Sequence, residues 1–353
     1  MKVFRKTGVS TLINILGMSV AFAAAMILMV QVKWDATYDK TFKGHEQVFR
    51  MENNWMDKGL YSTYFCRPMI EIAKTASPNI EAVGTLGGMA QEVTLKENGE
   101  DEVLSVPSAR VDSTLFAVFP FEWVEGSARE FSAGGTVIVS EKYAKMFFGD
   151  ERAIGKIIQT GDGKQNRIIG VFKDMRKNSS MNYGVLTNLG DDFLDEFSEW
   201  SFTAYARLRD PSLADETQAK IVNSILVYMD DNVDAAEADE FRKGFRICNL
   251  HDAHFERDVR ANIASANKAI TVTLMAIAIL LILIAIINFI NFAFAEIPFR
   301  IKSINTRKVL GEGRGSLIGR QLLHAGLIAL VAFGVACLIM QVISGSSWGI
   351  VCI

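Results

Sequence analysis

"SINTRKVLGEGRGS", residues Ser303 to Ser316, carries three glycines (Gly311, Gly313, Gly315) and three basic residues (Arg307, Lys308, Arg314), and it lies between two long apolar runs. Three roles suit such a stretch: a phosphate-binding loop, a basic anchor at a membrane surface, or a docking element for another protein. A phosphate loop needs Gly, four residues, then Gly-Lys followed by Ser or Thr, because backbone amides and the lysine must cradle the phosphates. "GEGRGS" has no lysine in that place and follows no strand pattern, and "GDGKQ" and "IGKII" elsewhere lack the hydroxyl. Nucleotide binding by this chain is therefore not expected.

The flanking runs set the class. The chain has 353 residues and a formal net charge of -3, which gives no reason to expect nucleic acid as a partner. The charge is strongly segregated. No Asp, Glu, Lys or Arg falls between Lys6 and Lys33, between Ala269 and Ala295, or after Arg320. Each gap exceeds the roughly 20 apolar residues that cross a bilayer as a helix. Three membrane helices are predicted, at 11–32, 269–295 and 321–343. "MKVFRK" resembles the start of a signal peptide, but the apolar run continues through "MILMVQV", longer than the about 7–15 residues of a cleavable segment. An uncleaved anchor is expected.

Lys2, Arg5 and Lys6 precede the first run, and Arg300, Lys302, Arg307, Lys308, Arg314 and Arg320 lie between the second and third. The positive-inside rule places residues 1–10 and the loop 296–320 in the cytoplasm. Residues 33–268 are then exported, and their mixed composition suits a domain with its own core. The overall class is an α+β membrane protein: transmembrane helices plus a large extracytoplasmic mixed α/β domain.

Within the exported segment, "VFRME", "TVIVS" and "NRIIGVFKDM" read as strands, and "EVTLKENGEDEVLSV" as two strands turning at Asn98-Gly99. "SFTAYARLR" alternates, with Phe202, Ala204, Ala206 and Leu208 on one face and Thr203, Tyr205, Arg207 and Arg209 on the other. Asp210-Pro211 reads as the cap and first turn of a helix whose apolar face holds Ile221, Val222, Ile225 and Met229. Gly149 reads as the stop of a short helix after "TVIVS". Asn288 and Asn291 carry amides that are costly in lipid and are expected to face protein or the interface. Pro298 is expected to end or bend the second membrane helix.

Candidate chemistry is sparse. "HDAHFERD" brings His251, His254, Glu256 and Asp258 together in sequence. Its His-x-x-His lacks the glutamate and second spacing of a metalloprotease site, so a polar segment is the simpler assignment. No metal, cofactor or catalytic set is expected. Cys66 and Cys248 fall in the exported segment, where either a disulfide or two separate thiols is chemically allowed. Cys337 and Cys352 read as apolar filler. "SINTRKVL" forms a short helix with Ile304, Val309 and Leu310 beside Arg307 and Lys308, ended by Gly311. Such a helix can dock into a partner or lie on the membrane, and its few apolar residues favour docking.

Several stretches together resemble a known family. "TLINILGMSVAFAAAMILM", "WDATYDKTFKGHEQVFRMEN", "VIVSEKYAKMFFGDERAIGKII", "IIGVFKDMRKNSSMNYGVL" and, above all, the "RKVLG" of "INFINFAFAEIPFRIKSINTRKVLGEGRGSLIGRQLL" are similar to the permease subunits of the MacB and FtsX-like group of ABC transporters, in their Bacteroidetes-type form. The resemblance covers nearly the whole chain. It implies a Porter-like α/β domain with a Sabre-like insert near 112–180. It implies a non-catalytic permease in the cell inner membrane that couples ATP hydrolysis on a separate cytoplasmic ATPase subunit to motion of its periplasmic domain. It also implies that Ile304, Arg307, Lys308, Val309, Leu310 and Gly311 form the coupling helix that meets this ATPase. A second permease copy, a periplasmic adaptor, an outer-membrane channel and membrane lipid are the other partners implied.

Two features depart from the family pattern. "RIKSIN" stands where the family has glutamate-glycine before "RKVLG". The third apolar run is followed only by residues 344–353, with no fourth, which reads as a truncated or degenerate copy. The rival assignments are a sensory receptor with a periplasmic ligand-binding domain, which would need a cytoplasmic output domain after the second span, and a membrane-anchored periplasmic enzyme, for which no motif stands in the sequence.

Overall fold

A computed structural model gives the fold and describes residues 2–40, 42–55, 59–87, 92–97, 100–132, 134–160, 163–229, 234–256, 259–260 and 265–345. Two compact units emerge: residues 1–36 with 268–353, and residues 37–267. The helices among the described residues are α1 (Lys2–Ala36), α2 (Arg67–Thr75), α3 (Leu115–Val118), α4 (Glu141–Phe148), α5 (Ala214–Met229), α6 (Ala235–Gly244), α7 (Leu250–Ala253), α8 (Lys268–Val309) and α9 (Arg314–Gly345). The strands are β1 (Val48–Asn53), β2 (Tyr61–Ser62), β3 (Tyr64–Phe65), β4 (Ile80–Gly87), β5 (Glu92–Glu97), β6 (Glu100–Ser105), β7 (Ser108–Val111) and β8 (Trp123–Gly126). They continue with β9 (Thr136–Ser140), β10 (Ile157–Thr160), β11 (Gln165–Phe172), β12 (Val185–Asn188), β13 (Phe202–Leu208), β14 (Phe245–Asn249) and β15 (Val259–Arg260).

The first unit is all helix. Its apolar windows, Thr11–Ala36 in α1, Lys268–Ala295 in α8 and Arg314–Ile343 in α9, are each long enough to cross a membrane. The α8 window is rich in isoleucine, a residue that favours strands in water. In hydrocarbon, however, only a helix pairs every backbone N–H and C=O within the segment. Helix α1 packs against both α8 and α9. Buried alanines mark the close approaches: Ala23 and Ala25 on α1, Ala278 and Ala285 on α8, Ala332 and Ala336 on α9. Small side chains let helix backbones approach where no hydrophobic driving force exists between them. Phe22 and Phe333 meet edge to face at 6.3 Å. One polar clamp joins α1 to α8: the buried Asp35 accepts from Thr271 Oγ1 at 2.7 Å and from Gln31 Nε2 at 3.1 Å. Asn288 and Asn14 border a hollow between α1 and α8.

Pro298 does not end the second span. Helix α8 runs through it for 42 residues, about 63 Å at 1.5 Å per residue. Proline removes the hydrogen bond to the Phe294 carbonyl and its ring crowds that carbonyl, yet the helix continues to Val309, and no glycine follows until Gly311. "SINTRKV" is therefore the last part of one continuous helix rather than a short helix of its own. Residues 346–353 lie outside the described residues.

The second unit is built on one mixed sheet in the order β15-β2-β1-β13-β4-β7-β12-β9-β11-β10-β5-β6. Strand β13 lies between β1 and β4, antiparallel to both. Its alternation splits as the sequence predicts. Phe202, Ala204, Ala206 and Leu208 enter one core, shared with α2, α5 and α6, where Ile221, Val222 and Ile225 also lie. Tyr205 enters a second core on the opposite face, with Phe42, Phe119 and Leu115. The "polar" face is thus also covered, and Arg207 reaches the Val118 carbonyl at 2.8 Å. A third cluster, around Val137, Val139, Phe147 and Ile168, fills the end of the sheet beneath α4. Asp210 caps the turn ahead of α5 by accepting from Ser212 N at 2.9 Å. Gly149 closes α4 at φ +61. Strands β5 and β6 pair antiparallel and extend this end of the sheet past β10; their turn at Asn98-Gly99 lies outside the described residues. The expected class, an α+β membrane protein with a mixed α/β domain, is the one found.

Buried charge, not read from the sequence, organises this domain. Asp39 is buried and sits at φ +56, a left-handed conformation that Asp tolerates. Its carboxylate accepts from Ser180 N at 2.7 Å, Ser180 Oγ at 2.5 Å and Ser179 Oγ at 2.9 Å. Its own N–H donates to the Asn178 carbonyl at 3.0 Å. "TYDK" and "KNSSM", far apart in sequence, are one contact. Burial raises the Asp39 pKa, against the lowering effect of the Ser180 and Ser179 hydrogen bonds. Beside it, Tyr38 stacks on His254 at 3.7 Å, and burial, then the Asp39 charge, pushes its pKa up to about 12.

A second cluster lies on β1 and β14. Glu52, fully buried, takes Arg50 at 2.5 Å on one oxygen and Arg246 at 2.7 Å on the other. Arg246 also reaches Glu256 at 3.1 Å and lies over the Tyr61 ring at 3.7 Å. Cys66 and Cys248 are separate thiols. Burial, then the Glu52 charge, pushes Cys248 up to about 12.

Arg50→Met leaves the Glu52 carboxylate buried with half its partners and is expected to cost about 3–5 kcal/mol, read by thermal unfolding of the full chain in detergent. Arg50→Met with Glu52→Leu removes two of the three charges, leaves Arg246 paired with Glu256 and recovers part of that loss, and a double variant as unstable as the single one refutes the account. For Asp39, a raised folded-state pKa means that the native chain holds the proton more tightly than the unfolded one. The wild type is therefore expected to gain stability relative to Asp39→Asn as pH falls through that raised pKa toward the ordinary carboxylate value. A gap that moves the other way between pH 7 and 4 rules this out.

Candidate functional site

The end of α8 is closed by a complete glycine turn. Gly311 sits at φ +90, a backbone conformation that glycine adopts freely. Gly311 N–H donates to the Lys308 carbonyl at 3.2 Å, and Glu312 N–H to the Arg307 carbonyl at 3.1 Å. This pair of bonds is the Schellman motif, which satisfies carbonyls that the helix end would leave open. The Glu312 carboxylate ties both sides of the turn. It pairs with Arg307 at 3.7 Å and accepts from Ser316 Oγ, in the first turn of α9, at 2.7 Å. Only Leu310 to Gly313 separate the two long helices.

The six residues expected to act together divide into two groups. Lys308, Val309 and Leu310 point outward at the tip, with Val309 87% and Leu310 81% exposed. Together with Asn305 and Thr306, Val309 and Leu310 border a shallow hollow. Ile304 and Arg307 are half-buried and face the other way, lining a groove between α8 and α9. Gly311 supplies the turn. The division follows from the helical period: Ile304 and Arg307 are one turn apart, and Lys308 and Val309 fall about 100° and 200° further round. The sequence also did not show that the tip stands clear of the apolar window. Of the 42 residues of α8, 28 form that window and 14 lie beyond it, about 21 Å of helix. Val309 and Leu310 are two large exposed apolar side chains beyond that window.

In "HDAHFERD", His251, His254 and Glu256 each have a neighbour outside the stretch. The His254 ring stacks on Tyr38, His251 Nδ1 lies 3.4 Å from the Tyr38 carbonyl, and Glu256 pairs with Arg246. Asp258 lies outside the described residues. His45 packs against Phe42 at the edge of a core, and His324 lines the α8–α9 groove.

Comparison with known proteins adds the following. No curated protein matches the sequence. Among solved structures, a domain of a putative permease protein from Porphyromonas gingivalis is similar at 18% identity and TM-score 0.45, over 59% of this chain and 89% of that one. The extracellular domain of the noncanonic ABC-type transporter YknZ from Gram-positive bacteria is similar at 15% identity and TM-score 0.41, over 57% of this chain and 100% of that one. The periplasmic region of MacB from Actinobacillus actinomycetemcomitans is similar at 12% identity and TM-score 0.41, over 59% and 90%. The family model of the MacB-like periplasmic core domain matches residues 11–239. That match takes in more than half of the chain, and the chain belongs to this family.

Proposed function

We propose that the chain is a non-catalytic permease subunit of an ABC-type mechanotransmission system in the cell inner membrane, with residues 37–267 outside and the tip of α8 in the cytoplasm. The observation that carries this is the tip itself. Lys308, Val309 and Leu310 are held outward by a closed glycine turn at the end of an unbroken helix. A basic, apolar knob of this kind suits a groove on a cytoplasmic ATPase, whose cycle of closing and opening would displace it. Positive residues at Arg307, Lys308, Arg314 and Arg320 support the cytoplasmic side. A second permease copy completes the unit, and a periplasmic adaptor and outer-membrane channel fit the exported side of the same scheme.

The direct test is co-purification with a cognate ATPase. Leu310→Asp buries a charge where an apolar side chain would sit, and Lys308→Glu reverses the local charge. Each is expected to weaken association by about five-fold to a hundred-fold, the range of a centrally placed contact worth ~1–3 kcal/mol. Association unchanged in both variants would remove the docking role. Gly311→Val tests the turn separately. No side chain crowds Gly311, so the substitution acts through the backbone alone, and a loss of about 1–3 kcal/mol in local stability is expected to weaken association without altering the exposed residues.

A further inference from the structure

The loop between β12 and β13 sets apolar and acidic side chains together on the surface of the α/β unit. Phe193 is 38% exposed, and Tyr228, near the end of α5, is 61% exposed. The Phe197 ring stacks on Tyr228 at 5.6 Å. Phe193, Leu194 and Phe197 line one shallow hollow with Asp191, Asp195 and Glu196. The loop backbone is pinned beneath these rings. Buried Arg67 donates to the Gly190 and Asp192 carbonyls at 2.8 and 2.7 Å, and Trp200 Nε1 donates to the Phe197 carbonyl at 2.8 Å. Arg110 takes the Asp192 carboxylate. Asp191, Asp195 and Glu196 have no ion-pair partner among the described residues. The charge extends past the loop. From Asp191 to Glu240 the chain carries 14 acidic residues against three basic ones, Arg207, Arg209 and Lys220. The loop, α5 and α6 all pack on the core that Phe202, Ala204, Ala206 and Leu208 enter, so the acids of these three elements lie on one side of the sheet. Arg207 leaves by the other side, to the Val118 carbonyl, and Lys220 is paired with Glu216 at 2.7 Å.

We propose that this patch docks a partner protein through a basic segment in which Lys or Arg is interspersed with large apolar side chains. Charge complementarity selects this occupant. Exposed rings rimmed by polar residues mark an interaction surface, and carboxylates without cations of their own favour a partner that brings them. A second copy of this chain, seated about a two-fold axis through the patch, would set Asp195 and Glu196 against their own counterparts. An anionic membrane surface would be repelled. A hollow this shallow does not enclose a small molecule as ligand pockets do. The proposal rests on residues 37–267 alone and not on the tip of α8.

The experiment is fluorescence anisotropy of a short labelled peptide of alternating lysine and leucine, titrated with the full chain in phosphatidylcholine nanodiscs. Empty nanodiscs and a peptide of alternating lysine and serine are the references. Binding above that of empty nanodiscs, and about ten-fold tighter than that of the lysine–serine peptide, is expected. Phe193→Gly removes one exposed ring. Phe193 sits at φ +63, which glycine adopts freely, so the variant relieves the backbone and does not strain it. It is expected to weaken binding about five-fold, as is Asp195→Asn with Glu196→Gln. Glu122→Gln with Glu130→Gln, which neutralises two exposed acids elsewhere on the domain, is expected to leave binding unchanged. No binding above empty nanodiscs overturns the proposal. Equal binding of the two peptides also overturns it, because the rings would then contribute nothing. An equal loss in the two acid variants does so as well, because the charge would then act as a diffuse acidic surface.

Discussion

A backbone in hydrocarbon has no water to pair with, and the helical unit is the consequence of that fact. Each apolar run must be a helix, however strongly isoleucine favours strands elsewhere. Once α8 has formed, it stops only where the sequence gives it a way to stop. Pro298 is not enough: it removes one hydrogen bond and crowds the Phe294 carbonyl, yet the helix runs on to Val309. Gly311 is enough, because it takes φ +90 and lets Gly311 and Glu312 return their N–H groups to Lys308 and Arg307. The 14 residues between the apolar window and the turn are therefore carried out as continuous helix. Their helical period then decides which side chains face outward and which face α9.

The exported unit meets the opposite problem. It has water on its surface, yet it buries Asp39 and Glu52 completely or nearly so. A buried carboxylate is tolerated when every oxygen has donors. Asp39 finds them in Ser179 and Ser180, and Glu52 in two arginines from two strands. Removing a single partner is expensive, because the charge that remains has no water. Such clusters add little net stability over a well-packed apolar substitute. Each joins segments far apart in the chain. That matters where a loop at residues 178–180 must find residues 37–39 across the whole domain.

Much of this was legible in the sequence, and the limit is physical. Local patterns could be read: the three apolar runs, the alternation in "SFTAYARLR", the Asp-Pro cap, and Gly149 and Gly311 as stops. Each depends on residues within one or two turns of one another. The Asp39–Ser180 contact spans 141 positions and the Glu52–Arg246 pair 194, and neither leaves a local mark. The face of β13 holding Tyr205 also carries Thr203, Arg207 and Arg209, which give no local sign of a core. The second core against it comes from residues around 42, 119 and 115, which no window on 202–208 contains. The six candidate contact residues were adjacent in sequence, and adjacency on a helix means dispersal around its axis.

The continuity of α8 bears on how a displacement at the tip would travel. A short helix set between two breaks would swing on its linkers, and part of any movement imposed on it would be absorbed there. Here Lys308 and Lys268 belong to one helix, and Lys268 follows Asn267 of the α/β unit directly in the chain. The weakest point along the way is Pro298, where the Phe294 carbonyl lacks its helical donor and bending is easiest. Pro298 lies just past the apolar window, so a bend there would tilt the basic end while leaving the membrane-spanning part in place. The Asp35–Thr271 hydrogen bond holds the opposite end of α8 to α1, so α8 cannot slide alone without breaking a buried polar contact. In the proposed permease, these two features set the outcome. The clamp makes α1 and α8 move together, and Pro298 decides how much of the tip's motion reaches them.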